Sequence, residues 1–276
     1  MSETDLFHDA IASWWSAKKS AVVRKSQGGT RDESIKGNTM DGFAKAIQEF
    51  VTGLSVNPGH VFAGGHLASA PSILPSYFRP SKNWDVIIVG NSRFHPAPDD
   101  RPSDPVLYAA VEFKSQDKSI GNNQNNRMEE SIGNATDFWT TYAESGFARQ
   151  LPRPWLGYLF VGKYQPTEDG KPVKVKQPHF LAMQPFRGEG NDKQESFDGL
   201  SYADRYQTFI RHAIGARLYD AGAFIMTDEA IKSQKVNHRI PAPEFGPANF
   251  LRSLKGQILA NYPGAKVIPG SMADSI

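Results

Sequence analysis

The sequence predicts an α/β domain: a mixed β-sheet flanked by helices. Three observations carry this. Short apolar runs near residues 85, 110, 158 and 182 read as strands. Segments with a 3.6-residue apolar period separate or flank them. No composition break cuts the chain, so one domain over residues 1–276 is expected, with a helical segment before the sheet and a helical extension after it.

Composition narrows the chemistry. The chain is 39% hydrophobic and 22% charged, ordinary for a soluble globular protein, and long enough to bury a core without covalent staples. It has no cysteine, which excludes disulfides, thiolate metal sites and thiol nucleophiles. Its seven histidines form no H-E-x-x-H pattern, which argues against a zinc hydrolase. The net charge of +2 is only mildly basic, but the distribution of charge matters more than the sum for a nucleic-acid partner. No apolar run reaches the roughly eighteen residues of a membrane span, so no membrane association is expected. The N-terminus (Ser2, Glu3, Asp5) is acidic and polar, unlike a signal peptide, so a cytoplasmic protein is expected.

The elements follow in order. Phe7, Ile11, Trp14 and Trp15 fall on one helical face and predict a helix over 4–19 with Thr4 as its cap. Residues 16–37 are the most basic stretch, with Lys18, Lys19, Arg24, Lys25, Arg31 and Lys36. Either a solvated flexible connection or a basic arm on DNA phosphates fits them. Phe43, Ile47, Phe50 and Val51 predict a second helix over 40–54. Glu49 lies on it and is a candidate extra acid for a catalytic site; Asp41 is a weaker one. Glycine and proline make 55–80 and 90–105 loops.

The amide-rich run Asn122, Asn123, Gln124, Asn125, Asn126 and Arg127 reads as a loop before a helix over 127–143. Its side chains suit adenine and guanine edges in a major groove, and equally a polar cap. Glu129 and Glu130 then fall in the first turn, where the helix dipole favours acids. Strands are expected at 155–161, 179–186 and 223–226, and helices at 201–221 and 248–260. The tail from Pro263 is expected to be poorly ordered.

The chemistry concentrates between Asn83 and Gln116. Asp85 opens the run Val-Ile-Ile-Val, and Glu112 nearly closes the run Val-Leu-Tyr-Ala-Ala-Val-Glu-Phe-Lys-Ser-Gln. Strand alternation puts Glu112, Lys114 and Gln116 on one face and Val111 and Phe113 on the other. If the two runs pair, Asp85 meets Glu112. Two carboxylates and an amine at one point are costly unless a divalent cation uses them, and hard oxygen ligands suit Mg²⁺. This is the D-(x)n-E-x-K pattern of the PD-(D/E)XK nucleases, without the leading proline: Trp84 stands in its place. Alone, the pattern is short and recurs by chance.

The wider text is more specific. Tyr-Phe-Arg-Pro-Ser-Lys-Asn-Trp-Asp-Val-Ile-Ile-Val, then Val-Glu-Phe-Lys-Ser-Gln, then Gly-Asn-Asn-Gln-Asn-Asn-Arg-Met-Glu-Glu-Ser-Ile-Gly-Asn-Ala-Thr-Asp-Phe-Trp together resemble the XhoI family of type II restriction endonucleases. The resemblance is densest over 77–142 and loosest in the C-terminal third. It implies a PD-(D/E)XK core and a homodimeric, Mg²⁺-dependent deoxyribonuclease that cuts both strands of double-stranded DNA at a palindrome, CTCGAG for members related to XhoI itself. It also implies a cognate DNA methyltransferase in the same system. Asp85 and Glu112 would be metal ligands with the Phe113 carbonyl, Lys114 would orient or activate water, and Gln116 would hold the site. A repair or phage-type nuclease on this core, and a DNA-binding protein that has lost catalysis, are the two rival readings.

Overall fold

The computed structural model describes residues 7–26, 39–64, 72–90, 106–117, 120–147, 152–164, 201–234 and 237–276, without the side chains of 20–26 and 120–122. Five strands form the main sheet: β1 (Val61–Ala63), β4 (Val86–Val89), β5 (Leu107–Gln116), β6 (Trp155–Lys163) and β7 (Ala221–Thr227), in the order β1-β4-β5-β6-β7. β1 with β4 and β4 with β5 are antiparallel, while β5 with β6 and β6 with β7 are parallel. β2 (Ile73–Pro75) and β3 (Ser81–Asn83) pair as a separate antiparallel hairpin. The expected mixed α/β sheet is present. The run at 179–186 lies outside the described residues, as do 91–105 and Thr4.

Among the described residues, five α-helices cover the sheet: α1 (His8–Ser26), α2 (Asp41–Thr52), α3 (Ile120–Ala143), α4 (Tyr202–Gly215) and α5 (Pro247–Asn261). One face of the sheet, with Val86, Val111, Phe113 and Leu159, packs against α1, α2 and α5. The other, with Ile87, Ala110, Leu156 and Tyr158, packs against α3 and α4. β5 is buried on both sides because it is central, so it reads as a continuous apolar run until its last third. The register shifts between Ile88 and Val89, where Ala109 and Leu107 are the successive β5 partners and Tyr108 is the extra residue. None of the described helices is long and apolar enough to cross a membrane.

Three expectations need correction. The first helix does not stop at residue 19 but runs to Ser26, so Lys18, Lys19, Arg24 and Lys25 sit on a helix, not on a flexible connection. Lysine and arginine are good helix formers, and the polar composition hid the continuation. The segment 55–80 is not all loop, since β1 and β2 lie in it. These strands are three residues long, too short to show alternation.

The C-terminal tail is ordered. The Lys266 and Ile268 amides donate to the Leu54 and Gly53 carbonyls at 3.1 and 2.8 Å, and Ala273 is fully buried. Those carbonyls follow the end of α2, where the helix cannot satisfy its own acceptors. Lys255 Nζ donates to the Ala273 carbonyl at 2.8 Å and fixes the last turn.

The crossing of α1 over α2 depends on Gly42. A Cβ there would lie 2.9 Å from Ala10 Cα and 3.2 Å from the Ala10 carbonyl, both backbone atoms that cannot swing aside. Gly42→Ala is expected to lower stability by about 1–3 kcal/mol, the usual range for overpacking, despite its gain in helix propensity. Urea denaturation checks this, and an equal or higher midpoint would show that the two helices can separate freely.

Candidate active site

The site is built at the point where β4 begins and β5 nears its end. The register pairs Val86 with Val111, which sets Asp85 beside Glu112. Both side chains belong to the α3–α4 face, because strand alternation assigns 85 and 87, and 110, 112, 114 and 116, to that side. Asp85 Oδ2 accepts the Phe113 amide at 2.7 Å, which fixes the carboxylate next to the β5 backbone. Burial, then the neighbouring Glu112 charge, pushes the Asp85 pKa up to about 6, although the Phe113 amide pulls it the other way.

Glu112 is completely buried and held by donors from three elements and from the connection between α4 and β7. Lys114 Nζ lies 2.9 Å from Oε1 and Lys82 Nζ, on β3, lies 3.8 Å from the same oxygen. Asn134 Nδ2, on α3, donates to Oε1 at 2.5 Å, and the Tyr219 hydroxyl donates to Oε2 at 2.5 Å. Tyr219 reaches it because α4 closes on a left-handed residue, Arg217 (φ 59°), with the Leu218 amide returning to the Ala213 carbonyl at 2.9 Å. Burial lowers the Lys114 pKa, but Glu112, Glu130 and Asp85 outweigh it and raise it above the ordinary value. Burial dominates at Lys82 and lowers its pKa, with Glu112 opposing. Lys82 also lies over the Trp84 ring, 4.6 Å from its centroid.

The structure thus brings Asp85, Glu112 and Lys114 together, as the pairing of the two runs requires. Gln116 is also on this face, buried and accepting from the Tyr206 hydroxyl of α4. Glu49 is not brought in. It lies on α2, which packs on the Phe113 side of the sheet, and its half-exposed carboxylate faces Lys45 at 3.6 Å. The sheet lies between α2 and the face that carries Asp85 and Glu112. Glu130 is the acid that α3 supplies instead, 3.4 Å from Lys114. Among the described residues, no cluster of three or more histidines and acids forms. Two adjacent hard carboxylates that repel one another nonetheless match a divalent cation, with the β5 backbone at hand for a carbonyl ligand.

The amide run is not a loop. α3 begins at Ile120, so 122–127 occupy its first two turns, and Glu129 and Glu130 come later than the first. A helix sorts these side chains by face. Asn123 and Asn126, three apart, are exposed on one side. Gln124 turns inward, fully buried, with Nε2 donating to the Tyr202 carbonyl at 3.0 Å. It is therefore a packing residue, not one offered to bases. Asn125 accepts from Arg205 at 3.1 Å, and Arg127 pairs with Glu130 at 2.9 Å. On α1, Lys18 pairs with Asp117 at 3.3 Å, just beyond β5, while Lys19 is exposed. Asn122, Arg24 and Lys25 are on helices, with side chains outside the description.

Sequence reasoning missed Lys82, Asn134 and Tyr219. Lys82 had a signal, a cation three residues before Asp85. Asn134 and Tyr219 had none that a local pattern could show.

Comparison with known proteins agrees with this geometry. A family model described as restriction endonuclease XhoI matches residues 19–238. The type II restriction enzyme BstVI of Geobacillus stearothermophilus is 35% identical over 227 residues, 82% of this chain and 89% of its own. AbrI of Azospirillum brasilense is 32% identical over 177 residues, 62% and 71% of the two chains, and XhoI of Xanthomonas vasicola is 33% identical over 210 residues, 74% and 72%. No solved structure matches the chain. The match spans both acids, the lysine and the sheet that aligns them, and so the chain belongs to the XhoI family of type II restriction endonucleases.

Proposed function

We propose that this chain is a Mg²⁺-dependent site-specific deoxyribonuclease that cuts both strands of duplex DNA at CTCGAG. The observation that carries the reading is the meeting of Asp85 and Glu112 on one sheet face with Lys114 at 2.9 Å from Glu112. Asp85, Glu112 and the Phe113 carbonyl are the residues that would hold the ion, which supplies Lewis acidity toward a phosphodiester and acidifies water.

The chain's own groups do the rest. Lys114, kept protonated by three nearby acids, stabilises charge that develops on the phosphate and holds the attacking water. Gln116 and Tyr206 brace the end of β5. Burial keeps bulk water from Glu112 and strengthens each of these interactions. Asn123 and Asn126 are the exposed amides suited to base edges, and the basic end of α1 suits phosphates. A palindrome is cut most simply by a homodimer, whose two-fold axis matches that of the site. A methyltransferase of the same specificity would protect the host.

The test is digestion of a long unmethylated DNA with Mg²⁺, followed by sequencing of the fragment ends. Discrete fragments that all end within CTCGAG are the expected result. Ends at another palindrome would keep the enzyme class and change the specificity. Ends without a common sequence would favour a repair or phage-type nuclease instead. Binding without any cutting would leave a non-catalytic DNA-binding protein.

A further inference from the structure

Asn134 stands between two groups of opposite character. Its Nδ2 donates to Glu112 Oε1 at 2.5 Å, and its Oδ1 accepts from Arg79 Nη2 at 2.6 Å. A guanidinium only donates and an ionised carboxylate only accepts, so the two partners assign both ends of the amide. Asp137, three residues along α3, accepts Arg79 Nε at 2.9 Å and the backbone amides of Tyr77 and Phe78 at 2.8 and 3.1 Å. Helix α3 therefore grips the turn between β2 and β3 and continues that grip to Glu112. Glu112 is also held by Lys114, which turns to Glu130 of α3, by Tyr219 from the connection before β7, and at longer range by Lys82 of β3. Among these donors Asn134 is the one hydrogen-bonded to Arg79, a half-exposed arginine beside the exposed rings of Tyr77 and Phe78.

We propose that Asn134 is a positioning residue that links Glu112, through Arg79, to the seating of the β2–β3 turn, so that the turn sets how firmly Glu112 takes the metal. This rests on Glu112 being a metal ligand. Physically, a carboxylate that rotates freely must be ordered when an ion binds, whereas one already oriented by outer hydrogen bonds is not. Arg79 carries five donors, enough to meet a DNA phosphate as well as α3. Contact with DNA at the turn and orientation of Glu112 then share one guanidinium.

The experiment measures Mn²⁺ binding to the metal-free protein by titration calorimetry, with DNA cleavage rates in parallel. Wild type, Arg79→Lys, Asn134→Ala and the double variant are compared, each with its circular dichroism spectrum and melting point. Arg79→Lys keeps the positive charge but loses the fork that spans Asp137 and Asn134. Each single variant is expected to bind Mn²⁺ about ten-fold more weakly, the lower end for an outer-shell partner. The double variant is expected to be no weaker than Asn134→Ala, because the hydrogen-bonded path from Arg79 to Glu112 runs through Asn134.

A folded Asn134→Ala with wild-type Mn²⁺ affinity overturns the proposal, as do additive losses in the double variant. If Asn134→Ala does not fold, Arg79→Lys decides: unchanged affinity overturns the relay, and a ten-fold loss at an unchanged melting point supports it. A wild type that binds no Mn²⁺ overturns Glu112 as a ligand and the relay with it. Wild-type binding matched by the variants overturns the relay alone.

Discussion

Asp85→Ala is expected to cut duplex DNA at least about a thousand-fold more slowly than the unaltered chain, while still binding its site. Metal assistance contributes several kcal/mol to phosphoryl transfer, and about 4 kcal/mol is a thousand-fold. Removing one of the two carboxylates proposed to hold the ion would forfeit most of it. Binding is expected to persist because Asp85 would act on the ion and is paired with the Phe113 amide, while phosphate and base contacts come from other residues. Glu112→Ala is expected to lose cleavage to the same degree but to differ in stability. It leaves Lys114, Lys82, Asn134 and Tyr219 around a buried gap without their common acceptor, and a broken buried ion pair costs about 3–5 kcal/mol. Single-turnover cleavage with saturating enzyme and a gel-shift in Ca²⁺ read the two effects apart. Cleavage by either variant near the wild-type rate would place the metal elsewhere.

The second large effect is on stability. In the absence of metal, Asp85→Asn is expected to be more stable than wild type at pH 8, by up to about 3 kcal/mol. The Asp85 pKa rises from 3.8 to about 6, and each unit is worth about 1.4 kcal/mol. The sign follows from proton counting. Between those two values the folded chain holds the proton and the unfolded chain has lost it, so stability falls as pH rises from about 4 through 6. Above that range the charged carboxylate carries its full burial cost beside Glu112. Asparagine has no such charge, and its side-chain oxygen can still accept the Phe113 amide. The two melting curves should converge toward pH 4. Added Mg²⁺ should raise the wild type more than the variant, since the ionised Asp85 gains most from the cation. A variant less stable than wild type at pH 8 would show that the Asp85 charge is well compensated without metal.

How legible the fold was depended on length and burial. The α2 face of Phe43, Ile47, Phe50 and Val51 was plain, because four apolar positions repeat over twelve residues. β1 and β2 were lost within a proline- and glycine-rich stretch, since three residues cannot display a period. The amide run misled for another reason. Asparagine favours turns by local hydrogen bonding, but here four asparagines and a glutamine enter a helix whose inner side is set by packing: Gln124 is buried against the Tyr202 carbonyl. The tail misled because its order is tertiary, a response to unsatisfied carbonyls after α2.

By itself, the sequence determined the composition of the catalytic face. Alternation on a strand is a local rule, and it forces Glu112, Lys114 and Gln116 to one side whatever surrounds them. An acid opening the preceding apolar run then needs only antiparallel pairing to join them. Tertiary structure alone decided what surrounds that carboxylate. It set Glu49 behind the sheet, and it brought Asn134 and Tyr219 to Glu112 from 22 and 107 residues away. Such contacts arise where helices and turns stack over a strand, and no periodicity along the chain encodes which distant side chain will fill the space above a given residue.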